Sequence, residues 1–176
     1  TFSRGDTEKK TLFNNHEGID STLLILRHRL KASESHPAIK VIKNYADLPL
    51  INCYSGQLNQ VFMNLLANAI DAVEESNQGK TFEEIEENLN QIEITTSLTK
   101  DEKSVEIKIA DNGLGISQEV QQRIFENLFT TKAVGKGTGL GLSIARQIIV
   151  DKHNGSLNFN SQIGKGTEFV IEIPAR

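Results

Sequence analysis

The stretch "QLNQVFMNLLANAIDAVEE", residues 57–75, decides the fold, because it has the clearest helical pattern in the chain. Its apolar residues recur at intervals of three and four, which predicts an amphipathic helix over residues 55–75 with Ser55 as its N-cap. The predicted core stripe consists of Leu58, Val61, Phe62, Leu65, Leu66, Ala69 and Val73. A second face carries Gln60, Asn64, Asn68 and Asp71. A solvated face usually carries Lys and Glu, and Asn is a weak helix former, so this second face predicts an enclosed polar site.

The two asparagines of this helix have two interpretations. An Asn side chain supplies a neutral, hard oxygen that suits Mg²⁺, which takes one or two protein oxygens and completes its shell with phosphates and water. Alternatively, Asn64 and Asn68 hydrogen-bond buried backbone groups and have no ligand. The helix alone does not decide between them.

Length and composition bound the class of protein. The chain has 176 residues, which fits one domain of ordinary size or one domain with a flanking piece. A net charge of −4 argues against a nucleic-acid partner. Cys53 is the single cysteine, which excludes an intramolecular disulfide and favours a reducing, cytoplasmic setting. No apolar run approaches the roughly 20 residues of a membrane span. The chain begins at Thr1 rather than Met, as we expect of a piece of a longer protein.

The pattern along the chain predicts helices on one face of a mostly antiparallel sheet. Hairpins are predicted over residues 91–112 and 156–173, because apolar and polar residues alternate there. The other predicted elements are a helix over 19–31 capped by Asp20 or Ser21, a strand over 38–50 that ends at Pro49, an acidic excursion over 76–90 with a short helix from Thr81, and a helix over 139–152 stopped by Asn154 and Gly155. The predicted class is α+β, a two-layer sandwich with a mixed sheet.

Two GKGT segments, at 135–138 and 164–167, suggest phosphate binding. Neither fits the Walker loop, because the lysine is followed by glycine, and no G-x-G-x-x-G fingerprint is complete. At the first segment, alternate glycines before a helix let successive backbone N–H groups converge on an anion, although a flexible surface loop explains the glycines equally well. The second segment lies between two strands and predicts a hairpin turn with glycine at positive φ.

A carboxylate stands at the end of a predicted strand in "IKIADNGLGIS", residues 107–117. Asp111 there can accept a hydrogen bond from an exocyclic amine, while Gly113 and Gly115 let a flat ring approach the backbone. The alternative is an ordinary Asp-Asn-Gly turn.

Taken together, these motifs resemble the ATP-binding catalytic domain of sensor histidine kinases. The order is the Asn helix, then "DNGLGI" at 111–116, "IFENLFTTK" at 124–132, "GTGLGLS" at 137–143 and "GTEF" at 166–169. The same sequence of boxes occurs in that family, and the resemblance covers residues 39 to 173. It implies the α/β sandwich known as the Bergerat fold. It also implies a domain over 19–176 with an ATP lid at about 125–141, preceded at 1–18 by the tail of a dimerisation helix or a linker.

The resemblance implies a role for each matching residue. Asn68 would bind Mg²⁺, Asn64 would lie near the phosphates, and Asp111 would accept a hydrogen bond from the adenine amine. Thr167 would join Asp111 at the adenine. The remaining expected ATP contacts are Asp71, Gly113, Gly115, Ile116, Lys132, Lys136, Gly137, Thr138, Gly139, Leu140, Gly141 and Leu142. Phe125 and Phe129 would anchor the lid, or would be plain core residues.

Two positions depart from the family pattern. Hydrolysing members of the wider superfamily carry Glu one turn before the metal-binding Asn, and here Asn64 cannot take a proton from water. We therefore expect ATP binding with little hydrolysis. Many sensor kinases carry Lys or Arg three residues after that Asn, whereas this chain has Asp71.

The resemblance implies partners as well as ATP and Mg²⁺. The γ-phosphoryl group would go to a His on the protein's own dimerisation domain, outside this chain, and then to the receiver domain of a response regulator. His16 and Glu17 only superficially resemble a phosphoacceptor pair. The full protein would be a homodimer and this piece a cytoplasmic monomer. The alternatives are an anti-sigma-factor type of Ser kinase and a non-catalytic nucleotide-sensing domain.

Overall fold

The computed structural model of the chain describes residues 9–126 and 141–175. The strands are β1 (Thr11–Phe13), β2 (Lys40–Asn44), β3 (Ile51–Cys53), β4 (Gln91–Leu98), β5 (Ser104–Asp111), β6 (Ser156–Gln162) and β7 (Gly166–Pro174). The helices are α1 (Asn15–Leu30), α2 (Ser55–Ser76), α3 (Phe82–Glu87), α4 (Gln118–Gln121) and α5 (Gly141–Gln147), which continues into a π-helical turn at Ile148–Lys152.

The central sheet has five strands in the order β2-β4-β5-β7-β6. Strand β2 runs parallel to β4, and the other neighbouring strands are antiparallel. A separate two-stranded sheet pairs β1 with β3. The predicted α+β class with a mixed, mostly antiparallel sheet is therefore confirmed.

The core lies between one face of the sheet and helices α1, α2 and α5. Alternate residues of β4, β5 and β7 are buried, whereas the residues between them are partly exposed, as expected for a sheet covered on one face. All seven residues of the predicted stripe on α2 are buried against this face. The position of α2 along the sheet is thus fixed by its apolar stripe, and its polar stripe has to lie beside the core.

Helix α1 begins four residues earlier than predicted. Its N-cap is Asn14, whose side chain accepts hydrogen bonds from the backbone of His16 and Glu17, and the predicted caps Asp20 and Ser21 lie inside the helix. The early start was not predicted because Gly18 lies in the first turn, and glycine is a poor helix former. A Cβ at Gly18 would lie 2.5 Å from the ring of Phe13 and 2.6 Å from the side-chain oxygen of Asn59, so a larger residue there would have to displace these side chains. The domain boundary expected after residue 18 falls inside this helix.

The predicted strand over 38–50 is wrong in length. It divides into β2 and β3, which belong to different sheets. After Asn44 the backbone leaves the ladder, and the N–H of Ala46 donates to the side-chain Oγ1 of Thr96 in β4 at 3.1 Å instead of to a backbone carbonyl. A side-chain acceptor therefore ends β2.

Three other element boundaries can be compared with the sequence. Helix α2 has Tyr54 as its N-cap, so the prediction of Ser55 is wrong. The short helix capped by Thr81 is confirmed, with a complete capping box to Glu84. The stop after the last helix is also confirmed, because Asn154 has φ +55°.

The turn between β6 and β7 contains the second GKGT, as predicted. Gly164 and Gly166 have φ of +82° and +119°, which glycine adopts without strain. Gly166 also lies against the end of β5, because a Cβ there would run into the backbone oxygen of Asp111. This glycine lets the hairpin pair with β5 along its full length.

We expect Gly166→Ala to lower the free energy of unfolding by about 2–4 kcal/mol, because it adds a backbone collision to an unfavourable φ. Gly164 is the matched control, since it has a similar φ but nothing within 4 Å of an added Cβ. Gly164→Ala should lower the free energy of unfolding by only about 1 kcal/mol. Urea denaturation measures both, and equal losses would show that the collision at Gly166 has no energetic effect.

Candidate nucleotide site

Asp111 lies at the end of the central strand β5, between β4 and β7. Its neighbours in register are Ile92 and Thr167. The carboxylate accepts a hydrogen bond from the backbone N–H of Gly113 at 2.8 Å. No ion pair involves Asp111 among the residues that the structure describes. The half-buried carboxylate of Asp111 therefore lies at the C-terminal end of β5, where backbone N–H groups donate to it.

Burial raises the pKa of Asp111 to about 6, although the backbone N–H groups of Gly113 and Thr167 act in the opposite direction. Desolvation disfavours the charged form of a carboxyl group, and here it outweighs the two hydrogen bonds. At neutral pH the side chain is ionised at a free-energy cost to the folded state. A ligand that donates a hydrogen bond to this carboxylate would offset that cost.

Two glycines after Asp111 hold the following loop against its neighbours. A Cβ on Gly113 would lie 2.7 Å from the backbone carbonyl of Ala72 in α2. Gly115 has φ +79°, and a Cβ there would run into the backbone oxygen of Gln162 at the end of β6. The loop is thus pressed between α2 on one side and the β6–β7 hairpin on the other, which keeps Asp111 next to α2.

A hydroxyl pair continues the site from Asp111 into the last hairpin. Thr167 is buried, and its Oγ1 lies 2.8 Å from Oγ of Ser161. Ser161 can also donate to the carbonyl of Gly166, and it accepts from the backbone N–H of Ile116. Either hydroxyl of the Thr167–Ser161 pair can be the donor, so the pair can adapt to a water or ligand that donates or accepts at Thr167.

Ser161 was not predicted from the sequence. It lies on the same face of β6 as Leu157 and Phe159, which pack against the core. A hydroxyl at an inward position of an alternating strand is the signal that could have found it. Ile116, which was predicted, packs partly buried against the core and is held by this serine.

The polar stripe of α2 faces this edge of the sheet. Asn64, Asn68 and Asp71 are half-buried, and Gln60 is exposed. The side-chain amide of Asn64 donates to the backbone oxygen of Gly141 at 3.1 Å, which connects α2 to the first residue of α5. Of the predicted residues, Asn64 and Gly141 therefore lie together.

Asp71 makes an ion pair that the sequence did not predict. Its Oδ1 lies 2.6 Å from Nη2 of Arg29 in the last turn of α1, and the same Nη2 lies 2.7 Å from Oε1 of Glu74. A contact between Asp71 and a nucleotide stays a prediction.

Part of the predicted site lies outside the described residues. These positions are Lys132, Lys136, Gly137, Thr138, Gly139 and Leu140, together with Phe129. Leu142 is described and packs against the core. Phe125 meets the ring of Phe159 edge-on at 5.8 Å, which fits a core contact at the start of the predicted lid.

The ring of His16 packs against neighbouring residues of the fold. Its ring stacks on Tyr45 with 4.1 Å between ring centroids, and Nε2 lies 2.8 Å from Oγ1 of Thr96. Burial lowers the pKa of His16 below its ordinary value, although the nearby carboxylates of Asp20 and Asp47 act in the opposite direction. These contacts support the interpretation that His16 is not a phosphoacceptor.

Residues 54–176 match the family described as histidine kinase-, DNA gyrase B-, and HSP90-like ATPase. The chain belongs to this ATPase family. The match begins at the N-cap of α2 and includes Asn64, Asn68, Asp111 and Thr167. The resemblance inferred from the ordered motifs is therefore confirmed.

Proteins named as kinases or as two-component sensors are among the relatives of this chain. The chain is 42% identical over 179 residues to the two-component sensor PprA of Pseudomonas aeruginosa, which covers 98% of this chain and 17% of that protein. It is 36% identical over 130 residues to sporulation kinase E of Bacillus subtilis, which covers 74% of this chain and 15% of that protein. The chain thus spans less than a fifth of the length of these relatives.

A solved structure supports the same assignment of the fold. The catalytic domain of histidine kinase ThkA superposes with a TM-score of 0.74 at 27% identity, over 95% of this chain and 96% of that one. The fold is therefore that of a histidine kinase catalytic domain. None of the described helices is long and apolar enough to cross a membrane.

We expect Asp111→Asn to stabilise the nucleotide-free protein above pH 6. The unfolded chain ionises Asp111 near its ordinary pKa of 3.8 and the folded protein near 6, so the folded state holds more protons between these values. Stability contributed by this group therefore falls as pH rises through this window. An amide has no charge to bury, so the variant should gain about 1–3 kcal/mol near pH 7.5 and almost nothing near pH 4.

Urea denaturation of both proteins at the two pH values measures this difference. Asp151→Asn is the control, because Asp151 is exposed in the π-helical turn that follows α5. A gain in stability of Asp111→Asn that is equal at both pH values would contradict the burial of a charge at this position.

Proposed function

We propose that this chain is the ATP-binding catalytic domain of a two-component sensor histidine kinase. In the whole protein it donates the γ-phosphoryl group of Mg·ATP to a His on a dimerisation domain outside this chain. The observation that carries the proposal is the half-buried carboxylate of Asp111, held by backbone N–H groups at the end of β5, just before a loop that packs on Ala72 of α2. The names of the relatives PprA and sporulation kinase E support it.

The adenine base binds at the end of β5. Its exocyclic amine donates to Asp111, and the ring lies along the loop of Gly113, Gly115 and Ile116. A water between the base and the Thr167 hydroxyl completes the contact, which the Thr167–Ser161 hydrogen bond permits because either of its hydroxyls can donate. The fixed backbone around Asp111 makes this pocket rigid, and a rigid acceptor discriminates against bases with an acceptor at the same edge.

The triphosphate follows the polar stripe of α2, where Asn68 holds Mg²⁺ through its amide oxygen. No group of three or more His, Cys, Asp or Glu side chains that could hold a metal occurs in residues 9–126 and 141–175. A metal here would need phosphate oxygens and waters to complete its shell, which is the usual way in which Mg²⁺ binds beside a nucleotide. The partly buried amide of Asn68 could supply the one protein oxygen that such a magnesium–nucleotide complex needs.

Asn64 lies near the phosphates and contributes no proton acceptor. It donates to Gly141, so it positions α5 next to the triphosphate. The lid residues Lys132, Lys136, Gly137, Thr138, Gly139 and Leu140 lie outside the described residues, and we infer from the family resemblance that they would contact the phosphates. Catalysis in this domain then consists of positioning and charge neutralisation, as is general for phosphoryl transfer.

The whole protein would act as a homodimer through its dimerisation domain, and a response-regulator receiver domain would accept the phosphoryl group. The name of PprA as a two-component sensor supports this pairing. The isolated chain would be a cytoplasmic monomer. Its net charge of −4 disfavours nucleic acid as a partner.

A competition experiment with ATP and GTP tests the base assignment. Guanine presents a carbonyl oxygen where adenine presents the amine, so GTP places an acceptor against the carboxylate of Asp111. An unpaired buried acceptor costs on the order of 1–3 kcal/mol. We expect ATP to displace a fluorescent ATP analogue at least about tenfold better than GTP does, since about 1.4 kcal/mol is a factor of ten.

Asp111→Asn should lower the affinity for ATP and reduce the ratio of ATP to GTP affinity, because the amide can turn to donate to guanine. Asp101→Asn, in the exposed turn between β4 and β5, is the control and should leave both affinities unchanged. If Asp111→Asn leaves the ratio of ATP to GTP affinity as it is in the unsubstituted protein, Asp111 is only a turn residue and the base assignment is wrong.

Calorimetry with and without Mg²⁺ tests the metal assignment. We expect Mg²⁺ to tighten ATP binding by about tenfold or more, equivalent to about 1.4 kcal/mol. Asn68→Ala should remove most of this gain and change metal-free affinity much less, because only the metal complex uses the amide oxygen. Asn59→Ala, on the same helix but off the stripe, is the control. Equal losses with and without Mg²⁺ would make Asn68 a structural residue.

A further inference from the structure

Arg29 is the cation nearest to the polar stripe of α2 among the described ion pairs. It comes from α1, and its Nη2 lies 2.6 Å from Oδ1 of Asp71 and 2.7 Å from Oε1 of Glu74. The side chains of Arg29 and Asp71 are 36% and 22% exposed, so the pair is only partly screened by water. One guanidinium therefore serves two carboxylates at the junction of α1 and α2.

The position of Asp71 on α2 gives this ion pair its significance. Asp71 is three residues after Asn68, about 4.5 Å further along the helix axis and on the same face. The next residue, Ala72, touches the loop of Gly113 that follows Asp111. Asp71 thus lies between the residues proposed for the phosphates and those proposed for the base.

An ionised carboxylate at this point opposes the binding of a polyphosphate. The repulsion is long-ranged in a site with reduced water access, because the effective dielectric constant there is lower than that of water. Asp71 would therefore weaken the site that its own helix forms, unless another residue neutralises it.

We propose that Arg29 is a positioning residue for the nucleotide, which neutralises Asp71 and holds its carboxylate toward α1. The inference rests on the proposed function, because it concerns the phosphate part of the same site. Arg29 acts through Asp71 rather than by contact with the phosphates. The last turn of α1 thereby becomes part of the condition for ATP binding.

Removal of the guanidinium charge should therefore lower the binding affinity for a nucleotide, and the loss should be larger for a nucleotide with more phosphate charge. In Arg29→Gln we expect the affinity for Mg·ATP to fall about five- to tenfold at low ionic strength, as estimated for partly screened charges several ångströms apart. The affinity for adenosine should stay within about twofold, because adenosine has no phosphate to repel. The loss for ATP should shrink at high salt.

Second substitutions identify the charge that is responsible. Arg29→Gln with Asp71→Asn should recover most of the lost ATP affinity, because the repelling carboxylate is gone. Arg29→Gln with Glu74→Gln is the matched control, since Glu74 is six residues from Asn68 and on a different face of α2. This double variant should recover much less of the lost ATP affinity. Arg29→Lys, which keeps the charge, should bind ATP within about threefold of the unsubstituted protein.

Isothermal titration with Mg·ATP and with adenosine gives all of these affinities. Equal losses for ATP and adenosine in Arg29→Gln would overturn the inference, because they would indicate a structural role for the ion pair. No loss for ATP, or equal recovery by the Asp71 and Glu74 substitutions, would overturn it as well.

The unsubstituted protein separates this inference from the function on which it rests. If it binds neither adenosine nor Mg·ATP, the proposed function is wrong, whatever the variants do. If it binds both, and Arg29→Gln binds them with unchanged affinities, the proposed function stands and the role of Arg29 is wrong.

Discussion

The burial of one carboxylate, that of Asp111, constrains the rest of the site. It ends the central strand β5, and within the described residues its hydrogen-bond donors are backbone N–H groups rather than cations. To hold a charge there, the hairpin must approach closely at Gly166 and the next loop must press on α2 at Gly113. The folded protein therefore carries an unfavourable group whose burial a hydrogen-bond donor from a ligand would offset. Binding sites commonly contain a group that lowers the stability of the ligand-free protein, and the ligand offsets this free-energy cost when it binds.

The two faces of α2 have different roles, since one packs in the core and the other carries proposed site residues. Its apolar stripe packs on the sheet and fixes the helix, which leaves the stripe of Asn64, Asn68 and Asp71 beside the end of β5. The polar residues are then positioned by the core rather than by their own contacts. The ion pair of Asp71 with Arg29 adds α1 to this arrangement. A single helix thus connects the core, the proposed metal residue and the proposed base site.

Sequence patterns predicted the parts of the fold that depend on local periodicity. The alternation in β4, β5 and β7 and the stripe on α2 correspond to buried faces, and the turn at Gly164 to Gly166 requires glycine as expected. The pairing of β1 with β3 was not predictable, because three-residue strands carry too little pattern and their partners are distant in the chain. The start of α1 was missed because Gly18 interrupts the helical pattern, and no local pattern records its contacts with the side chains of Phe13 and Asn59. Ser161 and Arg29 were missed for the same reason, since their roles arise from partners on other elements.

The most direct test of the central role of Asp111 is the titration of its side-chain carboxyl carbon by NMR, with and without ADP. In the free protein the account predicts a pKa of about 6. With ADP bound, the adenine amine donates to the ionised form, so the pKa should fall by about one unit or more. The exposed carboxyl of Asp101 should titrate identically in both samples. A pKa of Asp111 that is unchanged or raised by ADP would contradict the account, because the base would then not be bound through the carboxylate.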